Sequence, residues 1–184
     1  RAYHKEQKEK AVQLREGTVA EVDRSVAEEV ARLAEETGDE YDKRFAAAMA
    51  IEDDLHAAAK AWRKIIKQWP DVPAPYYNLA IALDRSDRNV ESAQMFLKAM
   101  ELYEDGTEGW AQAAAAAFNM LKHPDCDEVP KPEWWNDEAL KALSARVVAV
   151  APDGHQPCTM RARVLSGDAL DKAPWNAGPR TAAE

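Results

Sequence analysis

Sliding this sequence against itself by 34 residues lays Trp62 on Phe96, Tyr76 on Trp110 and Asp53 on Asp87. The same offset stacks Phe45, Leu79 and Ala113, then Ala46, Ala80 and Ala114, then Met49, Leu83 and Ala117. It also sets Ala58 over Ser92 and Ile65 over Ala99. One register accounts for every pair, so the chain reads as repeats that bury their apolar faces on one another. Inside the units, apolar residues recur at steps of three and four. Leu55, Ala58, Trp62, Ile65, Ile66 and Trp69 form one such stripe, and Leu140, Leu143, Val147 and Val150 another. Alternation of β-branched and aromatic residues is nearly absent, so the expected fold is all-α.

A 34-residue unit with this order of large and small residues resembles the tetratricopeptide repeat. Tyr76, Leu79, Ala80, Leu83, Ser92, Phe96 and Ala99 follow the family order in one unit. Phe45, Ala46, Met49, Ala58, Trp62, Ile65 and Pro70 follow it in the unit before. Small residues let two helices approach where large residues of the neighbours interlock. The resemblance implies a right-handed α-solenoid of antiparallel helix pairs.

The expected divisions follow this register. Residues 39–72 form the first unit, with Pro70 and Pro73 breaking the chain after its second helix. Residues 73–106 form the second. The third, 107–152, opens with a helix from Trp110 to Leu121 and carries an inserted loop at 122–136 before a helix at about 137–150. Residues 153–184 give a partial fourth unit, with a helix around Pro157 to Gly167 and the start of a partner at Pro179; it reads as truncated. Residues 1–38 lie outside the repeat register. Val19, Val22, Val26, Val30 and Leu33 make an apolar stripe on a helix ending near Gly38. That helix is expected to cap the open end of the stack, with docking on a partner as the alternative.

With 24 basic against 33 acidic residues the formal net charge is −9, which opposes binding to a phosphate backbone. The local basic excess, Arg1, Lys5, Lys8, Lys10 and Arg15 against Glu6 and Glu9, reads as a solvated helix end. No nucleic-acid partner is expected. No apolar run nears the roughly 18 residues that span a bilayer, so no membrane span is expected either. No secretory signal opens the chain, and it starts at Arg1 rather than Met. The expectation is a piece of a longer, soluble protein, cytoplasmic or organellar, with a plastid possible after loss of a targeting peptide.

Cys126 and Cys158 are too few for a disulfide framework in a chain with ample core. Each belongs to a His-x-x-Cys set, His123 to Cys126 and His155 to Cys158, which suggests tetrahedral zinc. In a tetratricopeptide-like stack the two sets fall near opposite ends of parallel helices. About 12 residues at ~1.5 Å each separate them by ~18 Å, whereas zinc ligands lie ~2.0–2.3 Å from one ion. No metal or other cofactor is therefore expected. Glu52, Asp53 and Asp54 sit at an inter-helix turn, where negative charge caps the next helix. Asp125, Asp127 and Glu128 lack the spacing of a calcium loop. Phosphate loops, nucleophile elbows and zinc-protease motifs are missing, so a non-catalytic chain is expected.

The resemblance implies instead a concave face lined by the first helix of each unit, holding extended or helical peptides. By register that face carries Lys43, Arg44 and Ala47, then Tyr77, Asn78, Ile81 and Arg85, then Gln112, Ala115 and Asn119. Some family members grip a chaperone's terminal carboxylate there with a clamp of lysine, asparagine and arginine. Here Lys43 and Asn78 fit, but Ala47, Glu108 and Gln112 break the clamp. In the insertion, Trp134 and Trp135 are adjacent and cannot both point the same way into one core, so one is a candidate partner contact.

The functional expectation is a protein–protein interaction module or scaffold. The alternative is an accessory subunit built permanently into a large complex, organellar or photosynthetic. The stretch from Trp134 to Gly167 resembles tetratricopeptide proteins of photosynthetic microeukaryotes. A zinc-binding protein using the two His-x-x-Cys sets is the third reading.

Overall fold

The computed structural model describes residues 28–32, 34–36, 38–51 and 53–167. The basic residues of 1–15, most of the valine stripe, and Trp175 to Pro179 lie outside the described residues. All regular structure among the described residues is helical, with no strand. The chain divides into two compact units, 1–54 and 55–184.

In the first unit, residues 28–32 and 34–36 are helical. Gly38, at φ +69°, turns the chain out of the helix, its N–H donating to the Ala34 carbonyl at 3.2 Å. Asp39 then starts α1 (Glu40–Met49), its carboxylate accepting from the N–H of Tyr41 at 2.7 Å and of Asp42 at 3.3 Å. Those donors have no partner within the helix, so the acidic cap fixes where α1 begins.

The second unit is a run of helices: α2 (Leu55–Gln68), α3 (Pro73–Asp84), α4 (Asn89–Leu102), α5 (Glu108–Leu121), α6 (Asp137–Val150) and α7 (His155–Ser166). A short 3₁₀ turn, Pro124–Cys126, lies between α5 and α6. Each helix packs on the next in sequence, α5 also packs on α7, and the 3₁₀ turn packs on α4. Prolines open α3, where a missing N–H costs nothing. Thr107 caps α5 through the Trp110 N–H, and Asn136 caps α6 through the Ala139 N–H.

Small residues set how closely the helices approach. Ala80, Ser92, Ala93, Ala99, Ala111 and Ala114 are entirely buried, and around them pack Leu79, Leu83, Phe96 and Trp110. Helix α5 is the most enclosed: Ala111 and every residue from Ala113 to Phe118 are buried. A helix apolar all round needs neighbours all round, and α4, α6 and α7 supply them. The inserted loop is packed rather than splayed. Cys126, Val129 and Trp135 join the same core as Phe118 and Leu121.

Candidate functional site

Of the groove candidates in the first unit, Lys43 is exposed, and Arg44 pairs with Glu40 one turn earlier at 2.7 Å. In the second unit the candidates lie on α3 and α5. Asn78 donates from Nδ2 to the Ala74 carbonyl at 3.0 Å, a bond within its own helix. Ile81 is 36% exposed, one of two large aliphatic side chains left open among the described residues. Arg85 is exposed just beyond the end of α3.

Tyr77 and Gln112 do come together. With Tyr103, Glu108 and Gly109 they line a cavity of about 290 Å³. Tyr77 packs edge-on to Phe96, ring centroids 5.3 Å apart. Burial pushes its hydroxyl above the ordinary tyrosine range, and the neighbouring Tyr103 adds to the shift. Burial raises Tyr103 as well. The Tyr103 ring lies within 3.0 Å of where a side chain on Gly109 would start, so glycine is what lets the ring close over α5. Tyr103 and Gly109 were not singled out from the sequence, although a lone glycine beside Trp110 in an alanine-rich helix was the available signal.

Asn119 lines a second cavity, of about 330 Å³, with Asp84 from the end of α3 and a wall of α7 residues. Its Oδ1 accepts from Arg163 Nη1 at 3.2 Å, and its Nδ2 donates to Gln156 Oε1. His123 and His155 both line this cavity. Their expected separation at opposite ends of the stack is therefore corrected. The last turn of α5 meets the first turn of α7 through Asn119 and Gln156, which brings both imidazoles to one cavity. The cysteines do not follow: Cys126 is buried, while Cys158 is exposed with its Sγ 3.2 Å from the Pro152 carbonyl. Among the described residues no three His, Cys, Asp or Glu side chains converge as metal ligands. Burial raises the Asp84 carboxyl; His123 pulls it back down and Asp87 pushes it further up.

The two tryptophans of the insertion differ. Trp135 is buried, its ring 5.4 Å from Phe118 and 5.8 Å from Trp134. Trp134 is half-buried. Lys131 holds this arrangement, donating from Nζ to the carbonyls of Leu121 at 3.1 Å and Cys126 at 2.6 Å. The same ammonium lies 5.5 Å from the Trp135 ring centre. Burial pulls Lys131 below the ordinary lysine range. Beside the insertion, Val90, Gln94, Asp125, Asp127, Glu128 and Val129 help line a third cavity of about 430 Å³.

No helix among the described residues is long and apolar enough to cross a membrane. No protein-family model, no curated protein and no solved structure matches the chain.

Proposed function

We propose that the chain is a non-catalytic protein–protein interaction module or scaffold. It is read as a right-handed α-solenoid of antiparallel, tetratricopeptide-like helix pairs. The reading is supported by the successive packing of α2 to α7 and by small residues where those helices meet. The observation that carries it is the cavity between α3 and α5. Tyr77, Tyr103 and Gln112 there combine aromatic faces with hydrogen-bonding tips, the chemistry that suits a polypeptide segment. Rigid helices hold these groups in place, so a partner binds without reordering them.

A second reading, a permanently built-in subunit, is favoured by Val90. It is 39% exposed on α4, beside the inserted loop. Cross-linking mass spectrometry on the protein purified gently from its source separates the two. Links from α3 and α5 to one short partner segment support the adaptor. Links concentrated on the insertion and α4, with none on α3 and α5, support the subunit.

A further inference from the structure

Among the described arginines, Arg32, Arg44, Arg63, Arg88 and Arg146 each pair with a carboxylate. Arg161 satisfies itself on the Lys141 carbonyl and Ser144. Arg85, exposed beyond the end of α3, likewise forms no ion pair among the described residues, but Arg163 differs in its setting. It is half-buried, faces the 330 Å³ cavity, and donates to the neutral amide of Asn119. In a chain of net charge −9, a guanidinium that forms no ion pair among the described residues and lines a cavity is a local positive charge, with Asp84 as the carboxylate of the same lining.

The surroundings are organised around it. His155, Thr159 and Arg163 lie four residues apart and so share one face of α7. All three line the cavity, and among the described residues neither Thr159 nor His155 has a hydrogen-bond partner for its side chain. The Arg163–Asn119–Gln156 chain of hydrogen bonds, all three residues in the cavity lining, engages one N–H of the guanidinium and leaves others for a ligand. Four helical residues rise ~6 Å, close to the ~6.6 Å between same-side residues of an extended chain. Phe96, Ala116 and Met120 supply an apolar wall beside this row.

The geometry points to a subsite for carboxylate side chains of an extended partner segment, gripped by Arg163, Thr159 and His155 of α7. These are not the clamp positions that the family resemblance offered and the sequence lacks. Asp84 lies in the same cavity, on the side of His123. It adds a repulsive element that admits an acid only along the α7 wall. This inference rests on the groove reading above, because it requires a polypeptide to enter between α3, α5 and α7.

The test uses the full 184-residue chain, ¹⁵N-labelled, titrated with three probes and read by amide chemical shifts. The first is a blocked peptide of alternating alanine and glutamate, the second its alanine–glutamine counterpart, the third glutarate. The glutamate peptide is expected to shift the amides of His155 to Arg163 and Asn119, and to bind at least about tenfold more tightly than the glutamine peptide. Arg163→Gln should remove that tenfold difference and Arg163→Lys should keep part of it, both with unchanged far-ultraviolet circular dichroism. Equal binding of the two peptides across α3 and α5, insensitive to Arg163, overturns the subsite and leaves the groove reading standing. No shift with either peptide overturns both. Glutarate binding as tightly as the glutamate peptide overturns the polypeptide assignment in favour of a small-anion pocket.

Discussion

Ser92 Oγ donates to the carbonyl oxygen of Ala80 across 2.9 Å, and both residues are 0% exposed. Helices α3 and α4 therefore meet with nothing larger than a hydroxyl between them at this point. Ser92→Ala should cost about 0.5–1.5 kcal/mol, the net worth of an ordinary buried hydrogen bond. Ala80→Leu should cost more, roughly 1–3 kcal/mol or above, because its added side-chain carbons have no space to enter. Thermal unfolding followed by circular dichroism ranks the two. A leucine variant as stable as the parent would mean that the helices stand further apart than 2.9 Å allows.

Asp87 is the one non-glycine residue with positive φ among the described residues, at +58°. It sits in the short turn from α3 to α4, and its N–H donates to the Asp84 carbonyl at 3.0 Å. Aspartate tolerates this left-handed backbone; a β-branched residue does not. Asp87→Val should cost roughly 1–2 kcal/mol. Asp87→Gly should be nearly neutral, since relieved strain is offset by about 0.4–1 kcal/mol of added freedom in the unfolded chain. Urea midpoints of the two variants give the comparison directly.

Lys131 and Trp135 together fasten the insertion to the end of α5. Trp135→Ala opens a cavity beside Phe118 and should cost about 3–5 kcal/mol. Trp134→Ala removes a half-buried ring and should cost clearly less. Lys131→Met keeps the stem but abandons the carbonyls of Leu121 and Cys126. Its cost falls between the two, because the group is only partly desolvated and water screens it. Denaturant melts of the three variants test the order. If Trp134→Ala proves the most damaging, the inward role belongs to that ring instead.

Much of the helical pattern was readable because it is local. The Leu140, Leu143, Val147 and Val150 stripe predicts a helix at 137–150, and α6 spans Asp137–Val150 with Asn136 supplying the cap. The repeat register predicts a helix from Trp110 to Leu121, and α5 spans Glu108–Leu121. What was not readable depends on how distant segments meet. Tyr103 closes over Gly109 only because α4 and α5 lie side by side. His123 and His155 share a cavity only because the α5 end reaches the α7 start. No local periodicity encodes either, and the same holds for the inward turn of Trp135. Arg163 was overlooked for the same reason: an arginine on a helix face looks solvated until the cavity before it is seen.

Tyr77 and Tyr103 carry a pH prediction whose sign is fixed by burial. Both hydroxyls titrate above the unfolded value of 10.0, chiefly because burial disfavours the phenolate. Above that pH the folded chain holds protons that the unfolded chain has released, so stability falls as pH rises. The neutral tyrosines' contribution is complete below pH 10 and is lost as pH climbs through the folded values. Lys131, lowered from 10.5, works in the opposite direction over part of the same range. The tyrosine share is therefore isolated by comparing the parent with a Tyr77→Phe, Tyr103→Phe double variant. Urea midpoints should fall more steeply for the parent between about pH 10 and 11. Absorbance titration at the phenolate band should show two late-ionising tyrosines that the double variant lacks. Parallel stability curves would mean that both rings are solvated and that the cavity between α3 and α5 is open at its floor.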